Sequence, residues 1–193
     1  MINYSKYNDD DLLMLLGEKS PVCDQSFYAL YHRYSEQLNV YCLFKAANES
    51  DAEEIFQDTW MKFYNSVRAG TKPDIVMALL YKIARNLSID KYRSNKSSQY
   101  LSLDSIDIER IAAPFSLNTQ IERNDLLEVI GLAVNNLDDI YKETFVLQWF
   151  GGLSLTEIAD VLGETIGCIK MRSHRAMSDL IKSLKPYIKE ISN

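Results

Sequence analysis

Residues 153–177 are the stretch that most constrains the fold, because they predict two helices joined by a tight turn. Ser154 is placed to cap the first helix, and Glu157, three residues later, can reach back to the backbone amide of the cap. Gly163 then ends this helix at little cost, since glycine adopts a left-handed conformation without steric strain. Thr165 follows as the cap of a second helix. The pattern predicts a short helix, a glycine turn and a longer helix.

The longer helix has two different faces. Its apolar side carries Ile169, Ala176, Leu180 and Leu184 at helical spacing. Its opposite side is polar and basic, and carries Cys168, Met171, His174, Arg175 and Ser178, flanked by Lys170 and Arg172. A short helix, a turn and a helix with a basic outer face are what a helix-turn-helix needs to enter a major groove. The alternative is a plain helical hairpin with a solvated charged face.

The rest of the chain also predicts helices, and its sequence shows no strand-pairing pattern, internal repeat or glycine-rich phosphate loop. Apolar residues recur at three- and four-residue steps in the segments 9–17, 24–47, about 50–67, 74–96, 119–135 and 138–150. Between about 95 and 118 this periodicity weakens, as in an inter-domain linker. We therefore expect an all-α protein: two small helical domains, 1–95 and 119–193, joined by a flexible linker over 96–118, with the helix-turn-helix in the C-terminal domain.

Two details of the first domain are specific enough to be checked. Ser50 or Asp51 is expected to cap the helix that begins near residue 50. An aromatic stripe on the segment 24–47 is expected to belong to the core, with the members Phe27, Leu30, Tyr31, Tyr34, Leu38, Tyr41 and Cys42.

Several classes of protein are disfavoured by composition. No apolar run approaches the roughly 20 residues of a membrane span, and the N-terminus lacks a signal-peptide pattern, so we expect a cytoplasmic protein. The three cysteines are scattered and form no CxxC pair, which disfavours a disulfide framework and a structural zinc site. The only histidines are His32 and His174, and no nucleophile or metal-ligand set converges in sequence. We expect no enzyme activity, catalytic residues, metal or cofactor.

The charge of the chain is distributed in bands. The net charge is −6, which disfavours a protein that coats nucleic acid. Residues 72–96 nevertheless carry six Lys/Arg against two Asp/Glu, and residues 165–193 carry the same numbers. Residues 1–71 and 97–164 are acidic, with net charges of −5 and −9. Two basic islands in acidic surroundings predict a protein that binds DNA weakly alone and needs a partner to hold it there.

Two further helix faces in the first domain are candidates for binding. Glu54, Gln57, Asp58 and Lys62 occupy the outside of one helix, either as a solvated surface or as a protein docking face. The next helix carries cations, an amide and a ring outside its apolar side, namely Lys82, Arg85, Asn86, Lys91, Tyr92 and Arg93. Basic residues interleaved with aromatic ones suit single-stranded nucleic acid, where bases stack and phosphates pair with cations. A solvated basic helix is the alternative.

With basic helices in two helical domains, the sequence resembles the extracytoplasmic-function sigma factors of bacterial RNA polymerase. The resemblance covers about residues 10–185, with the linker unmatched. It is carried by four motifs in order, DAEEIFQDTWMKFY, LLYKIARNLSIDKYR, FVLQWFGGLSLTEIADVLG and IGCIKMRSHRAM. Each motif is weak alone, but their order and spacing together are specific.

The resemblance implies roles for particular residues. The first domain would dock on core RNA polymerase through Glu54, Gln57 and Asp58, and its loop Ser66–Met77 would cup a base flipped from the minus-ten element. Lys82, Arg85, Asn86 and Arg93 would steady the opened strand. The second domain would recognise the minus-thirty-five element of promoter DNA through Thr165, Lys170, Met171, Arg172, His174 and Arg175. The family is commonly silenced by an anti-sigma factor, which would be a further partner.

The chain departs from the usual pattern of the family at several positions. It has Leu79 for tryptophan, Leu137-Asp138-Asp139 for Leu-Pro-Pro, Glu164 for an apolar residue, Cys168 for threonine and Ser173 for a larger aliphatic residue. Because Cys168 and Met171 offer apolar contact and not bidentate hydrogen bonds, the promoter sequence stays open.

Two other classes of protein compete with the sigma-factor interpretation. A helix-turn-helix transcriptional regulator of the two-component type would usually carry an α/β receiver domain, and no strand-helix alternation precedes residue 118. A helical adaptor that binds only proteins would leave the basic islands without a role. Retention on core polymerase separates both from a sigma factor.

Overall fold

The computed structural model describes residues 4–96 and 131–191. Every regular element in these two ranges is helical, which confirms the all-α prediction. The chain divides into two compact units, Met1–Leu101 and Ser102–Asn193. Almost all of the predicted linker and most of the predicted helix 119–135 lie outside the described residues. Within the described ranges, no helix is both long and apolar enough to span a membrane.

The first unit is organised around α2, the helix Val22–Lys45. It contacts α1 (Asp9–Leu16), α3 (Glu49–Arg68) and α4 (Val76–Lys96), and α3 also packs along α4. A 3-10 turn, Tyr4–Lys6, precedes α1. The largest side chains wholly or almost wholly enclosed in this unit are Leu12, Leu16, Leu30, Leu38, Tyr41, Phe63, Leu80 and Tyr81.

The start of α3 differs from the prediction. Its cap is Asn48, whose backbone is extended and whose Oδ1 accepts a hydrogen bond from the Asp51 amide at 2.9 Å. The prediction of Ser50 or Asp51 was therefore wrong, because both residues already lie in the first helical turn. Asparagine caps a helix as well as serine or aspartate does. The Asp51 carboxylate in turn accepts a hydrogen bond from the Asn48 side-chain amide at 3.0 Å.

The aromatic stripe of α2 is only partly buried. Leu30, Leu38, Tyr41 and Cys42 have no exposed surface, as predicted. Burial raises the pKa of the Cys42 thiol to about 12, so this thiol stays protonated near neutral pH. Phe27, Tyr31 and Tyr34 are half-buried, and the first two line an open groove described below. The expectation that the whole stripe belongs to the core was too broad.

The second unit contains the helical residues 131–135, α5 (Asp139–Phe145), α6 (Leu155–Leu162) and α7 (Ile166–Ile191). α5 continues through a π-helical turn, Val146–Phe150, in which the Gly151 amide donates to the Val146 carbonyl at 3.0 Å. α5 packs against α7, and α6 also contacts α7. One apolar cluster joins the helical residues 131–135, α5 and α7, with the buried members Ala133, Val134, Leu137, Phe145, Ala176 and Leu180.

Gly152 and Gly163 both have a positive φ in this unit, and Gly163 is the one that ends α6. Its φ is +69° and its ψ is 36°, and a Cβ added there would meet no atom within 4 Å. We expect Gly163→Ala to destabilise the α6–α7 pair by about 1–2 kcal/mol, purely through the left-handed backbone. Hydrogen exchange of the backbone amides in α6 and α7 measures this loss.

Gly167 provides the matched control, because it lies inside α7 and an added Cβ would also meet no atom within 4 Å. Gly167→Ala should be neutral or stabilising by up to about 1 kcal/mol, since alanine is the better helix former. Equal losses from the two substitutions would contradict the role given to the Gly163 backbone.

Candidate nucleic-acid interface and docking surface

The turn between α6 and α7 is built as the sequence predicts. The Ser154 amide donates to Glu157 Oε2 at 2.9 Å, and the Glu157 amide donates to Ser154 Oγ at 3.3 Å, which completes the capping box. Gly163 ends α6 in the left-handed conformation. Thr165 Oγ1 then accepts a hydrogen bond from the Cys168 amide at 3.3 Å. These contacts fix where α7 begins and therefore which of its faces points outward.

α7 presents most of the predicted DNA-contacting side chains to solvent. Ile169, Ala176 and Leu180 are buried on its inner side. The exposed side includes the first residues of the helix, so its free amide groups are open to an anion such as a phosphate. The candidate contact residues that are exposed are Thr165, Lys170, Met171, His174 and Arg175.

Arg172 differs from the other candidates. Its side chain is only 15% exposed, and Nη2 lies 2.6 Å from Oε1 of Glu164. Glu164 precedes α7, so this ion pair ties the turn to the second turn of α7. The charge of Arg172 is thereby largely neutralised, which weakens its case as a phosphate contact.

Arg175 is also hydrogen-bonded, but to a neutral acceptor. Its Nη1 donates to the hydroxyl oxygen of Tyr141 on α5 at 2.9 Å. This hydrogen bond raises the pKa of the Arg175 guanidinium, which is positively charged near neutral pH in any case. A neighbouring contact joins α7 to the π-helical turn after α5, since the Ser173 hydroxyl donates to Oε1 of Gln148 at 2.7 Å. The sequence pattern pointed to neither Tyr141 nor Gln148, because both contacts span more than 20 residues.

In the first unit, α4 carries the second basic face. Lys82, Asn86 and Arg93 are exposed, and Arg85 is half-buried. Lys82, Asn86 and Arg93 follow one side of the helix at steps of four and seven residues. Tyr92 is 52% exposed and adds a ring beside the cations. This arrangement suits the backbone and bases of an open strand.

The loop between α3 and α4 is shorter than the predicted range Ser66–Met77. Ser66 lies in α3, where its hydroxyl donates to Thr71 Oγ1 at 2.9 Å and its carbonyl accepts the Thr71 amide at 3.0 Å. Met77 lies in α4 and is 5% exposed, so it belongs to the core. Residues 69–75 are therefore the part that can contact a base.

The acidic face of α3 is partly engaged within the unit. Lys91 of α4 pairs with Asp51 at 2.9 Å and also contacts Glu54. Burial alone would lower the pKa of Lys91, but its hydrogen bonds to Glu54 and Asp51 outweigh burial and raise it. Gln57 is exposed and donates to Glu53 Oε1 at 3.1 Å, and Asp58 is half-buried. Of the three predicted docking residues, Glu54 and Gln57 are therefore exposed, and Glu54 is the one that Lys91 binds.

An apolar groove of about 750 Å³ runs beside Gln57 between α2 and α3. Its walls are mostly aromatic, with Phe27, Tyr31, Phe56, Trp60, Met61 and Tyr64, joined by Asp24, Gln57 and Asn65. The Trp60 ring contacts Phe27 edge-on at 5.6 Å and Tyr31 at 5.1 Å. An open apolar surface next to carboxylates is typical of a protein interaction site.

In the described part of the chain, no group of His, Cys, Asp or Glu side chains is placed to hold a metal ion.

Residues 30–98 match the family model for sigma-70 region 2. These residues include most of α2 and all of α3 and α4, and therefore the acidic face, the basic face of α4 and every wall residue of the groove except Asp24 and Phe27. The chain is 28% identical over 174 residues to the ECF RNA polymerase sigma factor SigW of Bacillus subtilis, covering 84% of this chain and 91% of that protein. It is 29% identical over 147 residues to the ferric citrate uptake sigma factor FecI of Escherichia coli, covering 75% and 83%.

Solved structures share the fold. The sigma factor RpoE of Bartonella quintana, in complex with the anti-sigma factor NepR, superimposes with a TM-score of 0.65 at 22% identity, covering 83% of this chain and 98% of that one. CnrH, in complex with the cytosolic domain of CnrY, gives a TM-score of 0.62 at 20% identity, covering 92% and 97%.

Proposed function

The chain belongs to the extracytoplasmic-function sigma factors of the sigma-70 family, and on this premise we propose that it recognises a minus-thirty-five element and melts a minus-ten element when bound to core RNA polymerase. The proposal that each unit recognises one promoter element rests on the presence of an exposed basic helix face in each unit, on α4 and on α7. One face suits open strands and the other suits a major groove. Residues 1–95 and 119–193 are the proposed domains, with 96–118 between them.

Recognition of the minus-thirty-five element is assigned to α7. Lys170, Met171, His174 and Arg175 enter the major groove, and the helix start at Thr165 meets a phosphate. Arg172 acts mainly through its ion pair with Glu164, which holds the turn against the helix. Met171 is 47% exposed and offers apolar contact, which suits a thymine methyl group.

Melting of the minus-ten element is assigned to the first unit. Residues 69–75 receive a flipped base, and Lys82, Arg85, Asn86 and Arg93 bind the strand that it leaves. Base flipping costs a few kcal/mol, which stacking and hydrogen bonding in a pocket offset. The step is binding of an opened conformation, so it needs no catalytic residue and no cofactor.

Docking on core polymerase is assigned to α3 and the groove beside it. Gln57 and Asp58 are the polar contacts, and the aromatic walls supply apolar area. Glu54 contributes less directly, because Lys91 already binds its carboxylate. Tight docking is required by the charge of the chain, since an overall charge of −6 disfavours binding of the free chain to DNA.

Regulation by an anti-sigma factor is part of this proposal. RpoE of Bartonella quintana is solved with the anti-sigma factor NepR, and it shares the fold of this chain. We expect a partner of that kind to cover surfaces used for docking or promoter recognition.

Core polymerase binding distinguishes this proposal from a helix-turn-helix regulator. The full chain, incubated with purified core RNA polymerase, is expected to co-elute with it in size-exclusion chromatography. A regulator of that type would elute alone and bind promoter duplex without polymerase. Elution of the chain alone at micromolar concentrations, with any bound inhibitor removed, would overturn the proposal.

A further inference from the structure

Arg175 is a candidate promoter contact whose guanidinium already has a defined position. The residue is exposed on the outer side of α7, yet Nη1 donates to the Tyr141 hydroxyl oxygen at 2.9 Å. The Tyr141 ring packs against the apolar cluster that joins α5 and α7. Because that ring is fixed by packing, its hydroxyl is a fixed acceptor for a long and otherwise flexible side chain.

The chemistry of this acceptor suits a residue that must bind DNA. A guanidinium has five N–H donors, so one hydrogen bond to a phenol leaves the others available for a base edge or a phosphate. A phenol is neutral and leaves the arginine charge intact. The contrast within α7 is Arg172, whose carboxylate partner Glu164 neutralises it and whose side chain is 15% exposed. Tyr141 therefore orients a cation without removing its attraction for DNA.

We propose that Tyr141 is a positioning residue for promoter recognition: its hydroxyl holds the Arg175 guanidinium in the orientation that contacts the minus-thirty-five element. This inference rests on the proposed function and extends it to a residue outside the helix-turn-helix. Tyr141 itself does not touch DNA. Its contribution is to reduce the ordering that Arg175 undergoes on binding, which increases affinity for the cognate sequence.

Tyr141→Phe removes the hydroxyl and keeps the ring packed against the apolar cluster, so it tests positioning with little effect on packing. The probe is the duplex most enriched from a random-sequence library by the complex of the full chain with core RNA polymerase. We expect Tyr141→Phe to weaken binding of that complex to the enriched duplex by about three- to tenfold, from the cost of ordering one long side chain. Binding to a scrambled duplex and the thermal midpoint of the chain should not change.

A double-mutant cycle with Arg175→Ala separates positioning from a structural role. Once Arg175 is absent, Tyr141→Phe should have no further effect on duplex binding. The matched control is Tyr28→Phe, because Tyr28 lies on α2 in the first unit and its hydroxyl contacts His32 Nε2 at 2.7 Å. That variant should bind the enriched duplex as the unmodified chain does.

Three outcomes would overturn the inference, and they differ in whether the role proposed for Arg175 also fails. If Arg175→Ala weakens binding and Tyr141→Phe does not, Tyr141 has no positioning role and the proposed function stands. If Tyr141→Phe lowers the thermal midpoint and weakens binding equally in the Arg175→Ala background, its role is structural. If Arg175→Ala has no effect, both the inference and the assignment of Arg175 to promoter recognition fail.

Discussion

Replacing Trp60 with alanine is expected to lower the unfolding free energy of the first unit by about 3–5 kcal/mol, the usual cost of deleting a buried aromatic side chain. Trp60 is 4% exposed, and its ring contacts Phe63 edge-on at 5.7 Å as well as Phe27 and Tyr31. The cavity left behind lies between α2 and α3, the helices that form the groove. Urea unfolding measures the loss, and core polymerase binding should fall with it.

Met61 is the matched control, because it is the next residue of α3 and is 63% exposed. Met61→Ala should change the unfolding free energy by no more than about 0.5 kcal/mol, as surface substitutions usually do. Any loss of polymerase binding in Met61→Ala then reports the groove itself and not the fold. Equal stability losses in the two variants would show that the aromatic packing around Trp60 does not support the unit.

Substitutions in the two units are expected to separate promoter recognition from docking. Arg175→Ala should weaken binding of the full chain to the enriched duplex at low salt by about ten- to a hundredfold, the range for loss of one good base or phosphate contact. Its affinity for core polymerase should not change. Gln57→Ala should leave duplex binding unchanged. It should weaken core polymerase binding about tenfold, as expected for a residue at the centre of an interface.

Each of these substitutions has a control on the same or a neighbouring helix. Lys182→Ala also removes a positive charge from α7, but Lys182 pairs with Asp179 at 3.0 Å, so duplex binding should change little. Gln37→Ala removes an exposed glutamine from α2 and should leave polymerase binding unchanged. If Arg175→Ala and Gln57→Ala reduced both activities equally, the proposed division between the two units would be wrong.

Local sequence signals predicted the helices and the turn that matters most. The capping box of Ser154 and Glu157, the left-handed Gly163 and the cap at Thr165 are present as expected. Each depends on residues within four positions of one another, so spacing alone determines it. The same reasoning failed at α3, because Asn48 caps as well as Ser50 or Asp51 and the sequence does not rank them.

Contacts between helices could not be predicted from the sequence. Lys91 was one cation of a basic helix face in the sequence, and in the structure it binds Asp51 and Glu54, 40 and 37 residues away. Helical periodicity placed Arg172 near Arg175 but gave no sign that one pairs with a carboxylate and the other with a phenol. The Lys91 contacts depend on how α3 packs against α4 in the first unit, and the Arg175 contact depends on how α5 packs against α7 in the second. The pattern of a single helix does not contain this information.

The π-helical turn and the open groove were missed for related reasons. Val146–Phe150 has an ordinary apolar pattern, yet it forms a π-helical turn in which Trp149 is 58% exposed. Phe27 and Tyr31 have the spacing of core residues, yet they line an open surface between α2 and α3. Apolar spacing identifies the inner side of a helix but does not show whether a neighbour covers all of it.

Run-off transcription with purified core RNA polymerase and a library of promoter templates most directly tests the proposal that the chain directs promoter-specific initiation. Addition of the full chain is expected to produce transcripts that begin at a constant distance from a shared pair of upstream elements, and core polymerase alone should not produce them. If no template showed initiation that depends on the chain, this proposal would be contradicted.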